Sequence, residues 1–255
     1  MTTGARKVGD FCWINMLTPD PDRAREFFGS LLGWTYIEIP GMGHRAQVGG
    51  RDIGGVFDHA GPGTPPGTPV GIGVMVRVEN ADAMVAKVNA LGGKAQPAFD
   101  IGPQGRMADC LDPVGANIDV WEPKGSAGLE ADSTQHGVPS WFETLTTDVD
   151  RATKYYTELF GWTAEVSDMG GIEYTTFSLG GEPVAGMMQI TPEMGPIPPH
   201  WGVYFTVNDA DQAERDATKL GGSIFVPVTD IPGVGRFCGI ISPQGVRFYA
   251  LQYSR

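Results

Sequence analysis

The chain has 255 residues, of which 41% are hydrophobic and 19% are charged, and its formal net charge is −12. This length and composition allow one large domain or two ordinary domains with a buried core, and they exclude a disordered chain. The acidic charge disfavours binding to nucleic acid or to an anionic membrane surface, and no apolar run is long enough for a transmembrane helix.

The three cysteines, Cys12, Cys110 and Cys238, form no CxxC pair. We therefore expect reduced thiols rather than a disulfide framework or a zinc site. The opening residues MTTGARKVGDFCW lack the apolar run of a secretory signal peptide. Together these observations predict a cytoplasmic protein.

The first predicted elements are a strand over residues 11–18 (FCWINMLT) and a helix that follows it. Asp20 suits the capping position before a helix, Pro21 suits the first turn, and Gly33 suits the end. The apolar stripe of this helix comprises Ala24, Phe27, Phe28, Leu31 and Leu32. Trp34 follows the glycine directly, and we expect it to pack against the core, as we do for Trp162.

The strand and helix recur along the chain. Residues 141–162 (WFETLTTDVDRATKYYTELFGW) repeat residues 13–34 (WINMLTPDPDRAREFFGSLLGW) at an offset of 128. Weaker copies begin at residue 71 (GIGVMVRVENADAMVAKVNALGG) and at residue 201 (WGVYFTVNDADQAERDATKLGG). The sequence therefore predicts four βαβββ-like units, near residues 8–60, 70–123, 138–190 and 198–254.

Proline- and glycine-rich stretches separate the two units of each half, and a polar stretch (PKGSAGLEADSTQHGVP, 123–139) separates the halves. We predict a first domain over residues 1–124, a linker over 125–137 and a second domain over 138–255. The predicted fold class is α+β.

Three sets of motifs carry a resemblance to a known family: the strand-TxDxxRAxxFF/YY-xxLxGW segments, the VxNADxxxxxxxxLGG helices, and the closing strands LDPVGANIDVWEP and ISPQGVRFYALQY. They resemble the vicinal-oxygen-chelate superfamily, which includes glyoxalase I, bleomycin-resistance proteins and extradiol dioxygenases. The resemblance implies that paired βαβββ modules form a half-open barrel in each half. The tandem arrangement is similar to an actinobacterial subgroup described as hydroxylase-like or glyoxalase-like. Such a resemblance does not fix the reaction.

Metal-dependent members of this superfamily hold their ion with histidine, glutamine and glutamate side chains that face the barrel interior. The resemblance implies four ligand positions in each half. In the first half they fall on Trp13, near 54–56, on Gly73 and on Asp119. In the second half they fall on Trp141, near 186–188, on Gly202 and on Tyr249. An indole nitrogen only donates hydrogen bonds and cannot bind a cation. A shift of one or two residues adds Asn15, Glu143 and His200 without completing a set. We predict no metal and no cofactor, and a divalent metal is the alternative.

Alternation along a strand places Trp13 and Asn15 on one face, and Trp141 and Glu143 on the equivalent face. If these faces line the barrels, each half offers an aromatic wall with a polar group beside it, and otherwise the tryptophans fill the barrel. The predicted ligand-binding residues are Trp13, Asn15, Met75, Trp121, Trp141, Tyr204 and Tyr249. Such a cup suits a flat apolar or aromatic molecule.

Three residues are candidate acids or bases: Glu143, Asp119 and His44. Glu143 lies in the apolar strand WFETLT, where desolvation would raise its pKa. His44 follows a glycine-rich turn and could extend over the first cup. The alternatives are an exposed strand face for Glu143 and a surface loop for His44.

The sequence thus predicts a metal-independent enzyme of the hydroxylase, isomerase or cyclase type that acts on a small hydrophobic or aromatic metabolite, with secondary metabolism as a plausible setting. The alternative is a non-catalytic protein that binds or sequesters a small molecule, as in the bleomycin-resistance branch. A buried carboxylate would favour the enzyme, and a cup lined by aromatic and methionine side chains alone would favour the binder. We expect a small-molecule ligand, no nucleic acid and no membrane partner, and a monomer or homodimer.

Overall fold

The computed structural model describes residues 6–61, 64, 67–126 and 128–254. Each half of the chain forms one eight-stranded mixed sheet, and helices pack on one face of each sheet. The predicted α+β fold, with two tandem domains built as curled half-barrels, is confirmed. The exact domain limits at residues 124 and 138 stay a prediction.

The first half follows the order of elements that the sequence predicts, with short additional strands. The elements are β1 (Phe11–Thr18), α1 (Pro21–Leu32), β2 (Thr35–Ile39), β3 (Gly43–Val48), β4 (Arg51–Asp58), β5 (Gly71–Arg77), α2 (Ala81–Ala90), β6 (Lys94–Ala95), β7 (Phe99–Ile101), β8 (Gly105–Ala108), β9 (Cys110–Leu111) and β10 (Asp119–Pro123). The sheet order is β2-β3-β4-β1-β5-β10-β8-β7. Strand β1 pairs in parallel with β4 and antiparallel with β5, so the two modules join at the centre of the sheet.

The second half repeats this arrangement. Its elements are β11 (Pro139–Thr146), α3 (Val149–Phe160), β12 (Thr163–Asp168), β13 (Glu173–Leu179), β14 (Glu182–Gln189), β15 (His200–Thr206), α4 (Ala210–Lys219), β16 (Ser223–Ile231), β17 (Gly235–Ile241) and β18 (Arg247–Tyr253). The sheet order is β12-β13-β14-β11-β15-β18-β17-β16. Strand β11 takes the central place that β1 has in the first half.

The predicted helix signals are confirmed in both strong copies. The backbone N–H of Arg23 donates to Asp20 Oδ1 at 3.1 Å, and the N–H of Arg151 donates to Asp148 in the same way at 3.1 Å. These bonds satisfy one of the amide groups that a helix leaves free at its start. Both helices end at a left-handed glycine, with φ of 69° at Gly33 and 72° at Gly161.

The two halves share one hydrophobic core. Helix α1 packs against α4 of the other half, and α2 packs against α3. The rings of Phe11 and Phe142 stack between the halves, with centroids 4.1 Å apart and an interplanar angle of 8°. Phe28 of α1 contacts Phe248 of β18 at a centroid distance of 5.0 Å. The barrels are therefore packed together on the sides that carry their helices.

Two short segments connect the halves by hydrogen bonds. We refer to residues 6–10 and 134–138 as the leading segments, because each precedes the first strand of one half. Trp34 Nε1 donates to Gly137 O at 2.7 Å, and Trp162 Nε1 donates to Gly9 O at 2.9 Å. Gly9 and Gly137 lie 128 positions apart and have φ of 91° and 85°. Each tryptophan is almost fully buried, so the predicted packing role of both is confirmed.

The stretch predicted as a polar linker is itself packed in part. Leu129 and Ala131 are buried, and the N–H of Leu129 donates to Cys12 O at 2.5 Å. The stretch between the halves therefore lies in part against the first half. Within the described part of the chain, no helix is both long and apolar enough to cross a membrane.

Candidate functional site

The face of each sheet that points away from the shared core carries a separate aromatic cluster, which we call the first cup and the second cup. The first cup contains Trp13, Met75, Ile101, Met107 and Trp121. The second cup contains Trp141, Tyr204, Phe225, Phe237, Tyr249, Leu251 and Tyr253. Strand register explains the grouping, because Trp13 lies opposite Met75 and Trp141 lies opposite Tyr204. The structure thus brings the predicted ligand-binding residues together, in two sets.

The polar groups of the first cup pair with one another. Trp13 Nε1 donates to Asn15 Oδ1 at 3.0 Å. Asp119 Oδ1 accepts from Asn117 Nδ2 at 2.8 Å and from the N–H of Cys110 at 3.1 Å. Asp119 is 6% exposed. Burial raises the pKa of Asp119 well above its usual range, and the nearby charge of Asp109 raises it further.

The second cup holds a connected network around Glu143. The hydroxyl of Tyr204 donates to Glu143 Oε1 and that of Tyr174 donates to Oε2, each at 2.8 Å. Trp141 Nε1 donates to the Tyr174 hydroxyl at 2.9 Å. The ring of Tyr249 stacks on that of Tyr204, with centroids 4.3 Å apart. Glu143 is 6% exposed, so the alternative of an exposed strand face is wrong.

Burial sets the protonation chemistry of this network. It raises the pKa of Glu143, and the hydrogen bonds from Tyr174 and Tyr204 offset only part of that rise. Burial and the charge of Glu143 raise the pKa of both phenols. The carboxyl group therefore takes up a proton more readily than an exposed glutamate, and the phenols remain hydrogen-bond donors.

The structure does not place His44 in the first cup. Arg45, the next residue on β3, lies in register with Gly55, which in turn lies opposite Asn15. Successive side chains alternate, so His44 points to the other face, where the charge of Arg25 on α1 acts on it. The expectation that His44 extends over the cup is wrong, because the register of the β2–β3 hairpin turns it towards the helix.

Sequence reasoning missed Tyr174, which joins Trp141 to Glu143. Its strand, EYTTFSL, alternates without indicating which face is buried. A signal exists on the neighbouring strand, since Gly186 lies opposite Glu143 and a side chain there would overlap the Tyr174 phenol. A strand glycine can mark such a close approach, although the sequence does not name the group that approaches.

Side chains fill both cups to a similar degree. Met75 and Trp121 of the first cup are 2% and 8% exposed, and Tyr204 and Tyr249 of the second cup are 5% and 8% exposed. Beside the second cup, a cavity of about 150 Å³ opens between the leading segment 6–10 and the second half. Trp141 and Tyr253 belong both to this cavity and to the second cup.

The ligand positions implied by the superfamily do not fit a transition metal. In the second half, the Tyr249 ring fills the space next to Gly202, and the Tyr174 phenol fills the space next to Gly186. In the first half, Trp13 and Gly73 supply no ligand atom. Among the residues that the structure describes, no group of three or more His, Cys, Asp or Glu side chains is arranged to hold a metal ion.

The cysteines do not contribute reactive groups to either cup. All three are free and buried. Burial raises the pKa of Cys110 and of Cys238 to about 12, so neither thiol ionises near neutral pH.

The family model of the Glyoxalase/Bleomycin resistance protein/Dioxygenase superfamily matches residues 11–120 and 139–248. The chain belongs to this superfamily. The resemblance carried by the sequence motifs is confirmed, and it covers both halves.

Two relatives illustrate the range of the superfamily. CFP32 of Mycobacterium tuberculosis (strain CDC 1551 / Oshkosh), whose name describes it provisionally as a glyoxylase, is 35% identical over 247 residues, which are 94% of this chain and 93% of that protein. The anthracycline biosynthesis protein DauV of Streptomyces sp. (strain C5) is 39% identical over 125 residues, 44% of this chain and 46% of that protein.

Solved structures share the architecture at low identity. The Mn(II)-bound glyoxalase of Novosphingobium aromaticivorans superposes with a TM-score of 0.66 at 16% identity, over 96% of this chain and 82% of that one. The 2,3-dioxygenase LapB of Pseudomonas sp. KL28 gives 0.65 at 14% identity, over 100% and 94%. At such identities the likeness shows the fold alone.

Proposed function

We propose that this protein is a metal-independent enzyme that moves a proton within a small hydrophobic or aromatic metabolite, as in an isomerisation or a cyclisation. The observation that carries the proposal is the Glu143 carboxyl group, buried in an aromatic cup between two phenols. A desolvated carboxylate of this kind is a stronger base than an exposed one.

The chemistry follows from the arrangement of donors and acceptor. The Glu143 carboxylate takes a proton from a carbon next to a carbonyl group. The electron pair of that C–H bond forms a carbon–carbon double bond, and the π pair of the carbonyl moves to its oxygen. The hydroxyls of Tyr174 and Tyr204, released when Glu143 becomes neutral, donate to the enolate oxygen. In a ketone with a conjugated carbon–carbon double bond, Glu143 then returns the proton to the far end of the conjugated system, which re-forms the carbonyl. A hydroxylation would also need an oxidant and a reductant, so proton transfer is the step for which these residues account by themselves.

Two observations support an aromatic substrate. The stacked rings of Tyr204 and Tyr249 and the indole of Trp141 present flat apolar surfaces. The relative DauV is named for anthracycline biosynthesis, and anthracyclines are flat, fused-ring aromatic compounds. We therefore propose a polyketide-like aromatic ketone as the substrate class.

Metal independence is supported by the donor set. In the second cup, aromatic rings fill the space at two positions where the superfamily would place ligands, Gly186 and Gly202. Glu143 itself is committed to two phenols through both oxygens. A cation in this place would have to displace these contacts.

The first cup favours a second candidate function, which is binding without catalysis. Its walls are two tryptophans and two methionines together with Cys12 and Ile101, and methionine adapts readily to flat apolar molecules. No phenol network of the kind around Glu143 surrounds Asp119, whose hydrogen bonds come from Asn117 and from backbone.

Proton abstraction is testable with 2-tetralone, a flat aromatic ketone, in deuterated buffer. We expect the wild-type chain to speed the exchange of the hydrogens next to the carbonyl, followed by mass spectrometry. Glu143→Gln removes the base, so the enzymatic rate should fall by about 10² to 10⁴-fold. A chelator such as EDTA should leave the wild-type rate unchanged.

The matched control is Glu165→Gln, an identical change at an exposed position on β12 of the same sheet. It should exchange at the wild-type rate. If Glu143→Gln exchanges as fast as wild type, Glu143 is not the base. If EDTA abolishes exchange, the reaction is metal-dependent. Saturable binding of 2-tetralone without exchange would leave the binder as the function.

A further inference from the structure

The cavity beside the second cup has the size of a single aromatic ring. Its volume is about 150 Å³, and its walls include Arg6, Asp10, Ser140, Trp141, Pro183 and Tyr253. An apolar cavity of roughly this volume in another protein holds benzene. Here the walls are partly polar, and aromatic side chains form one side.

Arg6 is the unusual group in this wall. It is 6% exposed, its side chain donates from Nε to Leu129 O at 3.3 Å, and its backbone carbonyl accepts from Arg77 Nη1 at 2.9 Å. It forms no ion pair within the described part of the chain, and its terminal guanidinium nitrogens have no hydrogen-bond acceptor there. Burial lowers the pKa of Arg6, and the charges of Asp10 and Asp132 oppose this from a distance. The terminal N–H groups of Arg6 are therefore open to an acceptor that enters the cavity.

Asp10 does not take the place of that partner. Its Oδ2 accepts the backbone N–H of Lys7 at 2.7 Å, which ties the carboxylate to its own segment. The planar N–H groups of an arginine match the paired oxygens of a carboxylate or a phosphate, and the carboxylate is the smaller of the two groups.

We propose that this cavity binds a small aromatic carboxylate of the benzoate class, with its ring against Trp141 and its carboxylate on the guanidinium of Arg6. The ring fills the open space next to Trp141, Pro183 and Tyr253 and makes apolar contacts there. The carboxylate supplies the negative charge that pairs with the guanidinium of Arg6. This site is separate from the proton transfer at Glu143 and does not require it.

The site is confined to one half. Position 134, which corresponds to Arg6 at the offset of 128, is Thr134, and its hydroxyl donates to Asp132 at 2.8 Å. The leading segment 134–138 therefore offers no guanidinium to the first half. One carboxylate per chain is expected.

The test is a calorimetric titration of the intact chain with benzoate and with benzamide, which has the same shape but no charge. Benzoate should bind at least about tenfold more tightly than benzamide, at one molecule per chain. Arg6→Met should weaken benzoate binding by about tenfold or more and leave benzamide unchanged. Arg51→Met, which removes the same charge from an exposed position on β4, should bind benzoate like wild type.

Equal affinity of wild type for benzoate and benzamide would overturn the proposal, and so would full binding by Arg6→Met. If Arg6→Met fails to fold, the ligand can be located in the wild-type chain by NMR magnetisation transfer from benzoate to the Trp141 indole. The Trp141→Phe variant identifies the indole signal. Absence of that transfer would also count against the site. The titration contains no proton-transfer step, so its outcome is distinct from that of the 2-tetralone exchange.

Discussion

Positions 15 and 143 occupy the same place on equivalent strands, yet they carry different chemistry. Asn15 accepts the indole N–H of the tryptophan two residues before it. At the equivalent place, the indole N–H of Trp141 donates to the Tyr174 hydroxyl and not to Glu143. Glu143 accepts hydrogen bonds from the hydroxyls of Tyr174 and Tyr204. An acid in place of an amide, with tyrosines from the adjacent strand β15 and from β13 beyond β14, gives the second cup a group that can carry a proton.

The raised pKa of Glu143 predicts a pH-dependent stability. Its ordinary value is 4.5, and in the folded chain it lies higher, so above about pH 4.5 the folded state holds a proton that the unfolded state has released. The contribution of the protonated Glu143 carboxyl to the free energy of unfolding, taken relative to Glu143→Gln, is therefore fully present below the ordinary pKa. It is lost as the pH rises through the raised pKa of the folded state. Urea unfolding at about pH 4.5, 6 and 7.5 should show this difference, at about 1.4 kcal/mol per unit of elevation.

Glu165→Gln supplies the comparison for this experiment, because its carboxylate is exposed. Its stability should run parallel to that of wild type across the range. If Glu143→Gln also runs parallel, the Glu143 carboxyl does not hold a proton in the folded chain.

Residue-level reasoning from the sequence reached part of this site. An acid inside the apolar strand WFETLT with Trp141 two positions away was enough to single out Glu143. Its partners were out of reach, because Tyr174 and Tyr204 approach from strands 31 and 61 residues further along. Whether a half-apolar strand faces a core or solvent depends on what other strands bring to it, and that is a tertiary property.

At the scale of elements, strand β14 determines how closely β13 can approach the second cup. Gly186 lies opposite both Glu143 and Thr176, and the ring of Tyr174 crosses the space that a side chain at 186 would take. The absence of a Cβ on this strand is what lets a phenol from the next strand reach the carboxylate.

Gly186→Ala should break the contact between Tyr174 and Glu143. The added methyl group meets the phenol, so we expect a loss of about 1–3 kcal/mol in the free energy of unfolding and slower 2-tetralone exchange. Gly71→Ala is the control, since a Cβ there meets no heavy atom within 4 Å. It should change stability by less than about 0.5 kcal/mol. Equal effects of the two substitutions would show that the phenol moves aside freely.

Elements with local signals were predicted well, and elements whose place depends on pairing were not. Asp20, Asp148, Gly33 and Gly161 act within one turn of the helix they bound, so the sequence contains the whole argument. His44 sits on a hairpin strand, where a one-residue difference in register exchanges the two faces. The sequence supplied the strand and left its register open.

The whole molecule is one folding unit built from two similar halves. Phe11 and Phe142 stack across the middle, and the buried residues of the described helices, apart from Ala81, belong to one core. The repeat predicted this duplication, but the way the halves pack rests on contacts between residues far apart in the sequence, such as Phe11 with Phe142 and Trp34 with Gly137. Such contacts leave no periodic trace in a single sequence.

Neither half is expected to be a stable folded monomer by itself. Residues 1–124 would lose the partner of Phe11 and the acceptor of the Trp34 N–H, and residues 125–255 would lose the acceptor at Gly9. Sedimentation and circular dichroism of the two fragments should show unfolded or associated chains, and mixing should restore a one-to-one complex. A fragment that unfolds cooperatively as a monomer would contradict a shared core.

The hydrogen bonds to the leading segments bear on why the two cups can carry different residues. Trp34 and Trp162 each donate a hydrogen bond to the leading segment of the opposite half, at Gly137 and at Gly9. Were the halves identical and unlinked, this would be a two-fold homodimer that exchanges its arms. In such a dimer every substitution changes both cups, because both come from the same sequence. A single chain removes that constraint, so one cup can carry Glu143 and its phenols and the other Asn15 while each half keeps its partner.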